Sequence, residues 1–208
     1  MTFYTHTTNL STKGHAHLQM SSLRFPQLEL RLPVADDAEA LLHLFSDSRN
    51  VQYDKSCDGL DSAFAIDGLI NQWQDVGHPL ERANVVIVVD GELVGTGGIG
   101  WIGHRKSDNI LYGDAGIMID TDYRGKGYAY EALCMIIDHG FRVLGMEEVH
   151  VACVDANRAL KGLMNVKLGF EATPTQDQLF GNEWIWRITK EMWHKSRHSP
   201  ERHSNTGV

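Results

Sequence analysis

One stretch decides the fold: Ile117-Met118-Ile119-Asp120-Thr121-Asp122-Tyr123-Arg124-Gly125-Lys126-Gly127-Tyr128-Ala129. An apolar strand ends at Asp120, a short polar turn follows, and a basic loop with two glycines leads into a helix. Residues 129–144 are predicted to be helical because apolar side chains recur there at steps of three and four. The chain therefore presents a basic, glycine-spaced loop at the N-terminus of a helix.

A loop of this kind is a candidate anion site. The first backbone N–H groups of a helix have no intrahelical partner, and the helix dipole puts partial positive charge at the same end. Gly125 and Gly127 let the backbone approach a bulky anion without an intervening Cβ, while Arg124 and Lys126 add mobile positive charge. The predicted ligand of this loop is a diphosphate. The alternative is an ordinary strand-to-helix turn with solvated basic residues.

These residues resemble a known family. The run Arg124-Gly125-Lys126-Gly127-Tyr128-Ala129 resembles the Q/R-x-x-G-x-G/A loop of the GNAT superfamily of acyl-CoA N-acyltransferases. Tyr130-Glu131-Ala132-Leu133 extends the match toward the RimJ/RimL-like branch of ribosomal-protein N-terminal acetyltransferases. Asn157 after a strand, followed by Lys167-Leu168-Gly169-Phe170, resembles a second family segment. Glu131 matches the branch motif and is expected to brace the loop through the helix dipole.

Length, charge and cysteine content narrow the class of protein. The 208 residues suffice for one domain with a full core. The formal net charge of −8 argues against a nucleic-acid partner and is compatible with a cationic substrate such as an amine. The three cysteines are widely spaced, so we predict neither a disulfide framework nor a metal site. Without a long apolar run or a signal-peptide pattern, we expect no membrane partner and a cytoplasmic location.

The chain divides into three predicted parts. Residues 1–26, rich in Thr, Ser, His and Gln, are expected to form a flexible arm, and residues 194–208 a flexible tail. Residues 27–193, over which the resemblance extends, are expected to form a single domain that exists as a monomer or homodimer.

The predicted order of elements within that domain is β-α-α-β-β-β-α-β-α-β-β. Hairpins early and crossovers late indicate an α/β (α+β) fold. The resemblance implies a GNAT-like, mixed, mostly antiparallel sheet of six to seven strands flanked by helices. It also implies that the sheet is splayed between the strands at 110–120 and 148–154.

The run Gly95-Thr96-Gly97-Gly98-Ile99-Gly100 formally matches the dinucleotide-binding pattern G-x-G-x-x-G. That reading needs a helix to begin there, and the residues that follow have no helical period. Glycines on a strand more often mark a bulge or the close approach of another chain or ligand, which is the interpretation that we adopt.

The resemblance implies acetyl-CoA as co-substrate, with no metal. In the family, the diphosphate lies on the loop at 124–129 and the pantetheine arm lies beside the preceding strand. By matching positions, the arm would pair with backbone groups of Ile117, Met118 and Ile119. The Ile119 N–H would stabilise the thioester oxygen as it gains negative charge. Asn157 matches the position whose side chain reaches the pantetheine, although an ordinary helix N-cap is an equal alternative.

Asp114 is the candidate base or amine-orienting carboxylate. Strand alternation places Tyr112, Asp114, Gly116 and Met118 on one face of the strand. A surface carboxylate paired with a neighbouring strand is the alternative. His150, on an apolar strand, is interpreted as a core histidine rather than a catalyst.

The usual general acid of the family is absent. Many members have a tyrosine five residues before the phenylalanine of the second segment, and here that position is Asn165. The interval from Asn157 to Phe170 is also about one residue longer than usual. Water can supply the proton instead, because a thiol with a pKa of about 8.5 leaves fairly easily.

Two functions remain in consideration. The first is an N-acetyltransferase in which a primary amine attacks acetyl-CoA directly in a ternary complex, the acceptor being a protein N-terminus or a small amine. The second is an acyl-CoA sensor that binds the cofactor but has lost turnover, an alternative that Asn165 keeps open. A nucleotide-binding protein is disfavoured because no G-x-x-x-x-G-K-[ST] motif occurs.

Overall fold

The computed structural model describes residues 4–10, 16–77 and 79–198. Within these ranges nine strands form one sheet, in the order β1-β2-β3-β4-β5-β6-β7-β9-β8. The strands are β1 (Tyr4–Leu10), β2 (Ala16–Ser22), β3 (Leu28–Arg31), β4 (Ala83–Val89), β5 (Glu92–His104), β6 (Leu111–Ile119), β7 (Glu148–Val154), β8 (Thr173–Asp177) and β9 (Gly181–Thr189). Neighbouring strands are antiparallel except β6 and β7, which are parallel. The predicted mixed, mostly antiparallel sheet is confirmed.

Helices flank the sheet on both faces. They are α1 (Ala38–Ser46), α2 (Ser48–Val51), α3 (Ala63–Gln74), α4 (Tyr128–Arg142), α5 (Arg158–Lys161) and α6 (Lys190–His198). Short 3₁₀ turns occupy Ala35–Asp37, Lys55–Cys57 and Thr121–Tyr123, and a π-helical turn occupies Gly162–Lys167. In the described parts of the chain, no helix combines the length and the apolar character that crossing a membrane requires.

Two apolar clusters place the helices on opposite faces of the sheet. Leu41 of α1 and Ile66 of α3 pack with Val86 of β4. Ile136 of α4 belongs instead to the cluster that contains Ile87, the next residue of β4. Successive strand residues point to opposite faces. We call the face that carries α1 and α3 the acceptor face, and the other the α4 face.

β6 and β7 pair over only three residues and then separate. The pairs are Tyr112 with Glu148, Gly113 with Val149 and Asp114 with His150. Beyond Asp114, β6 stays paired with β5 as far as Ile119, and β7 stays paired with β9 as far as Val154. Each strand keeps its outer neighbour, so the gap opens between them. The predicted splay is confirmed.

A β-bulge lies opposite the point where the separation begins. Ile99 pairs with Ala115 and Trp101 pairs with Asp114, so Gly100 is an extra residue on β5. A bulge bends its strand and increases the local twist. β6 follows β5 through this bend, which carries it away from β7. The glycine run at 95–100 therefore contains a β-bulge, one of the two features that its sequence predicted.

The expected flexible arm at 1–26 is wrong for the residues that the structure describes. β1 and β2 form a hairpin whose second strand pairs with β3, and these two strands raise the count above the predicted six to seven. Leu18, Met20 and Ser22 alternate inward and are buried. The alternation was short and contained few apolar residues, so the polar composition masked it.

The C-terminal prediction also needs correction. We expected a flexible tail from residue 194, but β9 ends at Thr189 and a helix, α6, runs from Lys190 to His198. Trp193 is buried on α6, where its indole N–H donates to Asp138 of α4 at 3.0 Å and its ring stacks on Phe170. Helical geometry is what turns Trp193 onto the α4 face. The last part of the expected tail, 199–208, lies outside the described residues.

The segment after Asn157 is helical, as predicted, but changes its winding. α5 ends at Lys161 and the next six residues are π-helical, with the Leu168 N–H donating to the Leu163 carbonyl at 2.9 Å. A π-turn accommodates one extra residue in a helix. It accounts for the interval to Phe170 that is about one residue longer than usual. Gly169 has φ +69°, as a helix C-terminal residue should.

Gly98 gives a test of the strand geometry. It has φ +127°, and a Cβ there would lie 2.6 Å from the Asn84 Cα and collide with the Ala83 carbonyl oxygen. We expect Gly98→Ala to lower the free energy of unfolding by about 2 kcal/mol or more, as measured by urea denaturation.

Gly100→Ala is the matched control on the same strand. Its Cβ would meet no described atom closer than 3.7 Å, so we expect a change within about 0.5 kcal/mol. Equal stability of the two variants would contradict this account of β5.

Candidate active site

The backbone of β6 alternates between its two neighbours. The Asp120 N–H donates to the Val94 carbonyl, on the β5 side, at 2.9 Å. Even-numbered residues before Asp120 therefore direct their backbone N–H and C=O groups toward β5, and odd-numbered residues direct theirs away from it. Ile117 and Ile119 consequently present backbone groups to the gap between β6 and β7.

Met118 does not share that direction. It is paired with Thr96 of β5, and its side chain packs with the α1–α3 cluster on the acceptor face. The prediction that its backbone faces the cofactor together with Ile117 and Ile119 is not supported, because strand alternation turns every second residue to the other neighbour.

The loop after β6 has the open geometry of an anion site. Gly125 and Gly127 are left-handed, with φ +80° and +88°. The Glu131 N–H donates back to the Gly127 carbonyl at 3.2 Å, so the amides of residues 128–130 precede the first hydrogen bond of α4. Among the described atoms, a Cβ at Gly125 would meet nothing within 4 Å, and the nearest to a Cβ at Gly127 is Phe25 Cζ at 3.5 Å. The residues present fit an anionic group.

Arg124 differs from its predicted role as mobile charge. Its Nε donates to the Ile119 carbonyl at 2.9 Å, and a terminal nitrogen donates to Asn50 Oδ1 at 3.2 Å. The guanidinium thus ties the end of β6 to α2. Lys126 is exposed, with its ammonium 4.6 Å from the centre of the Tyr123 ring. The adjustable positive charge at the loop comes from Lys126.

Asn50 organises the loop, and the sequence analysis missed it. It is 6% exposed. Its Nδ2 donates to the Leu44 carbonyl and to Asp120 Oδ2, both at 3.2 Å, and its Oδ1 accepts from the backbone N–H and the hydroxyl of Thr121 at 2.9 and 2.8 Å. A lone asparagine in an irregular segment carries no periodic signal that would have revealed this role.

Glu131 connects α4 to the N-terminal hairpin. Its side chain is buried and accepts a hydrogen bond from the Ser22 hydroxyl at 2.7 Å. The turn after β2 places Phe25 edge-on against Tyr128, with ring centres 5.9 Å apart. Glu131 thus ties the first turn of α4 to β2 by a direct hydrogen bond, and its expected interaction with the helix dipole stays a prediction.

Asp114 lies at the last paired position before the gap. Its side chain is 59% exposed and its Oδ1 is 3.6 Å from Nδ1 of His150. Strand register places Trp101 of β5 beside it and Arg187 of β9 beyond His150. Because β6 itself carries no bulge, the predicted alternation holds and Asp114 is on the acceptor face.

Carboxylates from several elements meet on the acceptor face near Asp114. Burial raises the pKa of Glu183 on β9, and the negative charges of Asp177, Asp114 and Asp54 raise it further. Lys55 reaches from the loop before α3 to the Leu179 carbonyl at 3.2 Å. This contact brings that loop to the turn between β8 and β9. Glu183 therefore lies among other carboxylates on this face.

The two asparagines near the second family segment have structural partners. Asn157 is the N-cap of α5, and its Oδ1 accepts from the Leu160 N–H at 3.1 Å. The cap leaves its amide nitrogen as a donor. Asn165 Oδ1 accepts from the indole N–H of the buried Trp186 at 2.7 Å, so this residue stabilises a core tryptophan on the α4 face.

Cysteine and metal chemistry are not features of the described residues. Cys57, Cys134 and Cys153 are buried free thiols. Burial raises the pKa of Cys153, which flanks the gap, to about 11. Within the described ranges no group of three or more His, Cys, Asp or Glu is arranged to hold a metal ion.

Comparison with known proteins places this chain in a family. The family model described as "Acetyltransferase (GNAT) domain" matches residues 27–171. The chain belongs to the GNAT acetyltransferase family. The match begins just before β3 and ends before β8, so the hairpin β1–β2 lies outside it.

Solved structures share the fold of this GNAT acetyltransferase. Mycobacterium smegmatis RimJ in complex with CoA-disulfide is 18% identical with a TM-score of 0.67, over 81% of this chain and 87% of that chain. The microcin C7 self-immunity acetyltransferase MccE, in complex with acetyl-CoA and AMP, is 15% identical with a TM-score of 0.69, over 81% and 96%. The ribosomal-protein-S5-alanine acetyltransferase from Vibrio fischeri is 16% identical with a TM-score of 0.66, over 80% and 95%. The first and third belong to the branch that the loop motif resembles.

Removal of the Asn50 side chain tests the organisation of the loop. Asn50→Ala leaves the Thr121 amide without its partner and removes the hydrogen bond to Oδ2 of the buried Asp120, whose Oδ1 still accepts from the Asp122 N–H. We therefore expect the free energy of unfolding to fall by about 2–3 kcal/mol. Coenzyme A should bind more weakly, as measured by isothermal titration calorimetry. Gln52→Ala, at an exposed position in the same segment, is the control and should change neither quantity. Unaltered coenzyme affinity in Asn50→Ala would contradict the assigned role.

Proposed function

We propose that this protein is an N-acetyltransferase that moves the acetyl group of acetyl-CoA to a primary amine by direct attack in a ternary complex. The observation that carries the proposal is the continuity of the gap and the loop. The backbone groups of Ile117 and Ile119 line the gap, and the strand that carries them ends at the glycine loop of α4.

The cofactor-binding residues divide into two groups. The diphosphate would lie on the loop at Arg124, Gly125, Lys126, Gly127, Tyr128 and Ala129, with backbone amides and the dipole of α4 as its main partners. The amide-bearing pantetheine arm would pair with Ile117 and Ile119 as an added strand does. Asn157 can donate to it from the far side of the gap, since β6 and β7 are parallel and end at the same edge of the sheet.

Ile119 would also act on the thioester. Its N–H is directed into the gap, where the acetyl carbonyl would lie, and it can stabilise the oxygen as negative charge develops. Arg124 holds the carbonyl of the same residue at 2.9 Å, which fixes the orientation of the peptide at the end of β6. The loop and the donor are thus parts of one rigid unit.

The acceptor face favours the binding of a cationic substrate. Asp114, Glu183 and Asp177 come from three strands and create a negative potential that attracts a protonated amine. Asp114, which is nearest the gap, would orient the amine and accept its proton. The demand on this base depends on the acceptor: about a fifth of an α-amino group is neutral at pH 7.2, but only about a thousandth of a lysine amine.

Departure of the thiolate would be assisted by water. Asn165, which replaces the usual tyrosine, is occupied by Trp186, and a thiol with a pKa of about 8.5 is a fair leaving group. The same substitution supports the alternative of a sensor without turnover. The buried free thiols agree with the proposed cytoplasmic location. The acceptor is a protein N-terminus or a small amine.

Release of free coenzyme A tests the proposed function directly. The purified protein is mixed with acetyl-CoA and with a panel of peptides with free N-termini, polyamines and antibiotics that carry a primary amine. We expect thiol release with at least one of these acceptors. Identical peptides with blocked N-termini serve as matched controls. Tight binding of acetyl-CoA without thiol release on any amine would favour the sensor instead.

Asp114→Asn separates catalysis from cofactor binding. Loss of a general base typically costs 10²- to 10⁴-fold, so we expect kcat to fall by about 100-fold, with affinity for acetyl-CoA unchanged. Asp36→Asn, at an exposed position in the 3₁₀ turn before α1, should keep full activity. Wild-type turnover in Asp114→Asn would remove this carboxylate from the mechanism.

A further inference from the structure

His150 lies between two carboxylates that come from different strands. It is 7% exposed. Its Nδ1 is 3.6 Å from Asp114 Oδ1 on β6, and its Nε2 is 3.0 Å from Glu148 Oε2 on its own strand. Asp114 and His150 form the last pair before β6 and β7 separate. The imidazole therefore sits directly behind the candidate base, at the inner end of the gap.

The partners of Glu148 define the tautomer of His150. Arg105 donates to both oxygens of Glu148, at 2.9 and 3.1 Å, and this hydrogen bonding holds the pKa of Glu148 below its usual range. An ionised carboxylate only accepts hydrogen bonds. Nε2 of a neutral His150 must then carry the hydrogen, which leaves the lone pair of Nδ1 on the side of Asp114.

A second buried histidine, His139, provides a comparison for His150. His139 of α4 is 2% exposed, and neither of its ring nitrogens has a hydrogen-bond partner among the described residues. Burial lowers the pKa of His139 to about 4, so that it stays neutral. His150 differs, because both of its nitrogens face carboxylates and one of those carboxylates is open to solvent.

We infer that His150 is a positioning residue that receives the acceptor's proton through Asp114, with Glu148 and Arg105 holding its ring. This role rests on the proposed function. An aspartate has a reference pKa of about 3.9 and an imidazole one of about 6.5. An aspartate carboxylate is thus ordinarily a weaker base than an imidazole, and Nδ1 of His150 lies 3.6 Å from Asp114 Oδ1.

Two protons leave the acceptor ammonium in the proposed reaction. One ammonium proton passes to an oxygen of Asp114 and on to Nδ1 of His150, which leaves a neutral amine. Its lone pair forms the C–N bond at the thioester carbon, and the C–S bond breaks with its electron pair on sulfur. The second amine proton reaches the thiolate through water, and His150 releases its proton to solvent. The products are the amide, coenzyme A and one proton.

Several titratable or charged groups face His150 from the elements packed around it. Tyr112 of β6 packs against the ring in a tilted arrangement, with centres 4.7 Å apart. The others are Asp114 on β6, Glu148 on β7 and Arg187, the register partner on β9, with Arg105 behind Glu148. Two of these groups are carboxylates and Arg187 is a cation, so substitution of either carboxylate by its amide removes negative charge beside the ring.

The pH dependence of kcat tests the inference. With both substrates saturating, the wild type should show kcat rising with pH along a limb that reports one ionisation of the imidazole. His150→Gln should lose that limb and lower kcat by about 10- to 100-fold. Glu148→Gln removes a carboxylate that favours the imidazolium, so the limb should move to lower pH by about one unit. His104→Gln, an exposed histidine at the end of β5, is the matched control and should retain the wild-type profile.

A second measurement does not depend on turnover or on the folding of the His150 variant. An NMR titration of the His150 ring in the free protein should show a pKa that falls in Asp114→Asn, because the carboxylate no longer stabilises the imidazolium. An unchanged pKa there, or a retained limb in His150→Gln, would overturn the inference and leave the acetyltransferase proposal intact. A wild type that releases no thiol with any amine would overturn both.

Discussion

The structure depends on the parting of β6 and β7 after three paired residues. Unpaired strand edges are normally avoided because their N–H and C=O groups invite another chain. Here both strands keep a full ladder with their outer neighbours, and the bulge at Gly100 of β5 lies opposite the point where the pairing of β6 with β7 ends. The gap is thus a fixed feature of the backbone, and the amide-bearing arm proposed to lie there would satisfy its unpaired groups.

Buried polar contacts hold the loop at the mouth of this gap. Asn50 binds Asp120 and Thr121 from α2, Arg124 returns to the carbonyl of Ile119, and Glu131 is fixed by Ser22. Buried hydrogen-bonded networks of this kind are rigid, since each member would be costly to leave unpaired. Little conformational freedom is left for a diphosphate to remove, which favours binding by a preformed site.

Much of the fold and the geometry of the glycine loop could be predicted from the sequence. The glycine loop, the amphipathic α4 and the apolar strands each carry a local signal, such as the spacing of Gly125 and Gly127 or the valines of β4. Backbone direction within β6 could also have been predicted from alternation, and grouping Met118 with Ile117 and Ile119 overlooked it.

Long-range contacts could not be predicted from the sequence. Asn50 meets Thr121 across 71 positions, and Ser22 meets Glu131 across 109. Neither contact produces a recurring pattern of residues in the two segments that it joins. The hairpin β1–β2 was hidden in the same way, because its polar composition resembles that of a disordered arm and only pairing with β3 shows its place. The acceptor face is formed by loops and strand ends from different parts of the chain. Its substrate specificity therefore cannot be predicted from any single segment of the sequence either.

Hydrogen exchange at the backbone of β6 tests the central claim most directly. The account predicts that in the free protein the Met118 amide, which is bonded toward β5, exchanges slowly, while the amides of Ile117 and Ile119 exchange faster. Added coenzyme A should slow exchange at Ile117 and Ile119 and at the first amides of α4. Slow exchange at Ile117 and Ile119 in the free protein, or no change on addition of coenzyme A, would contradict the account.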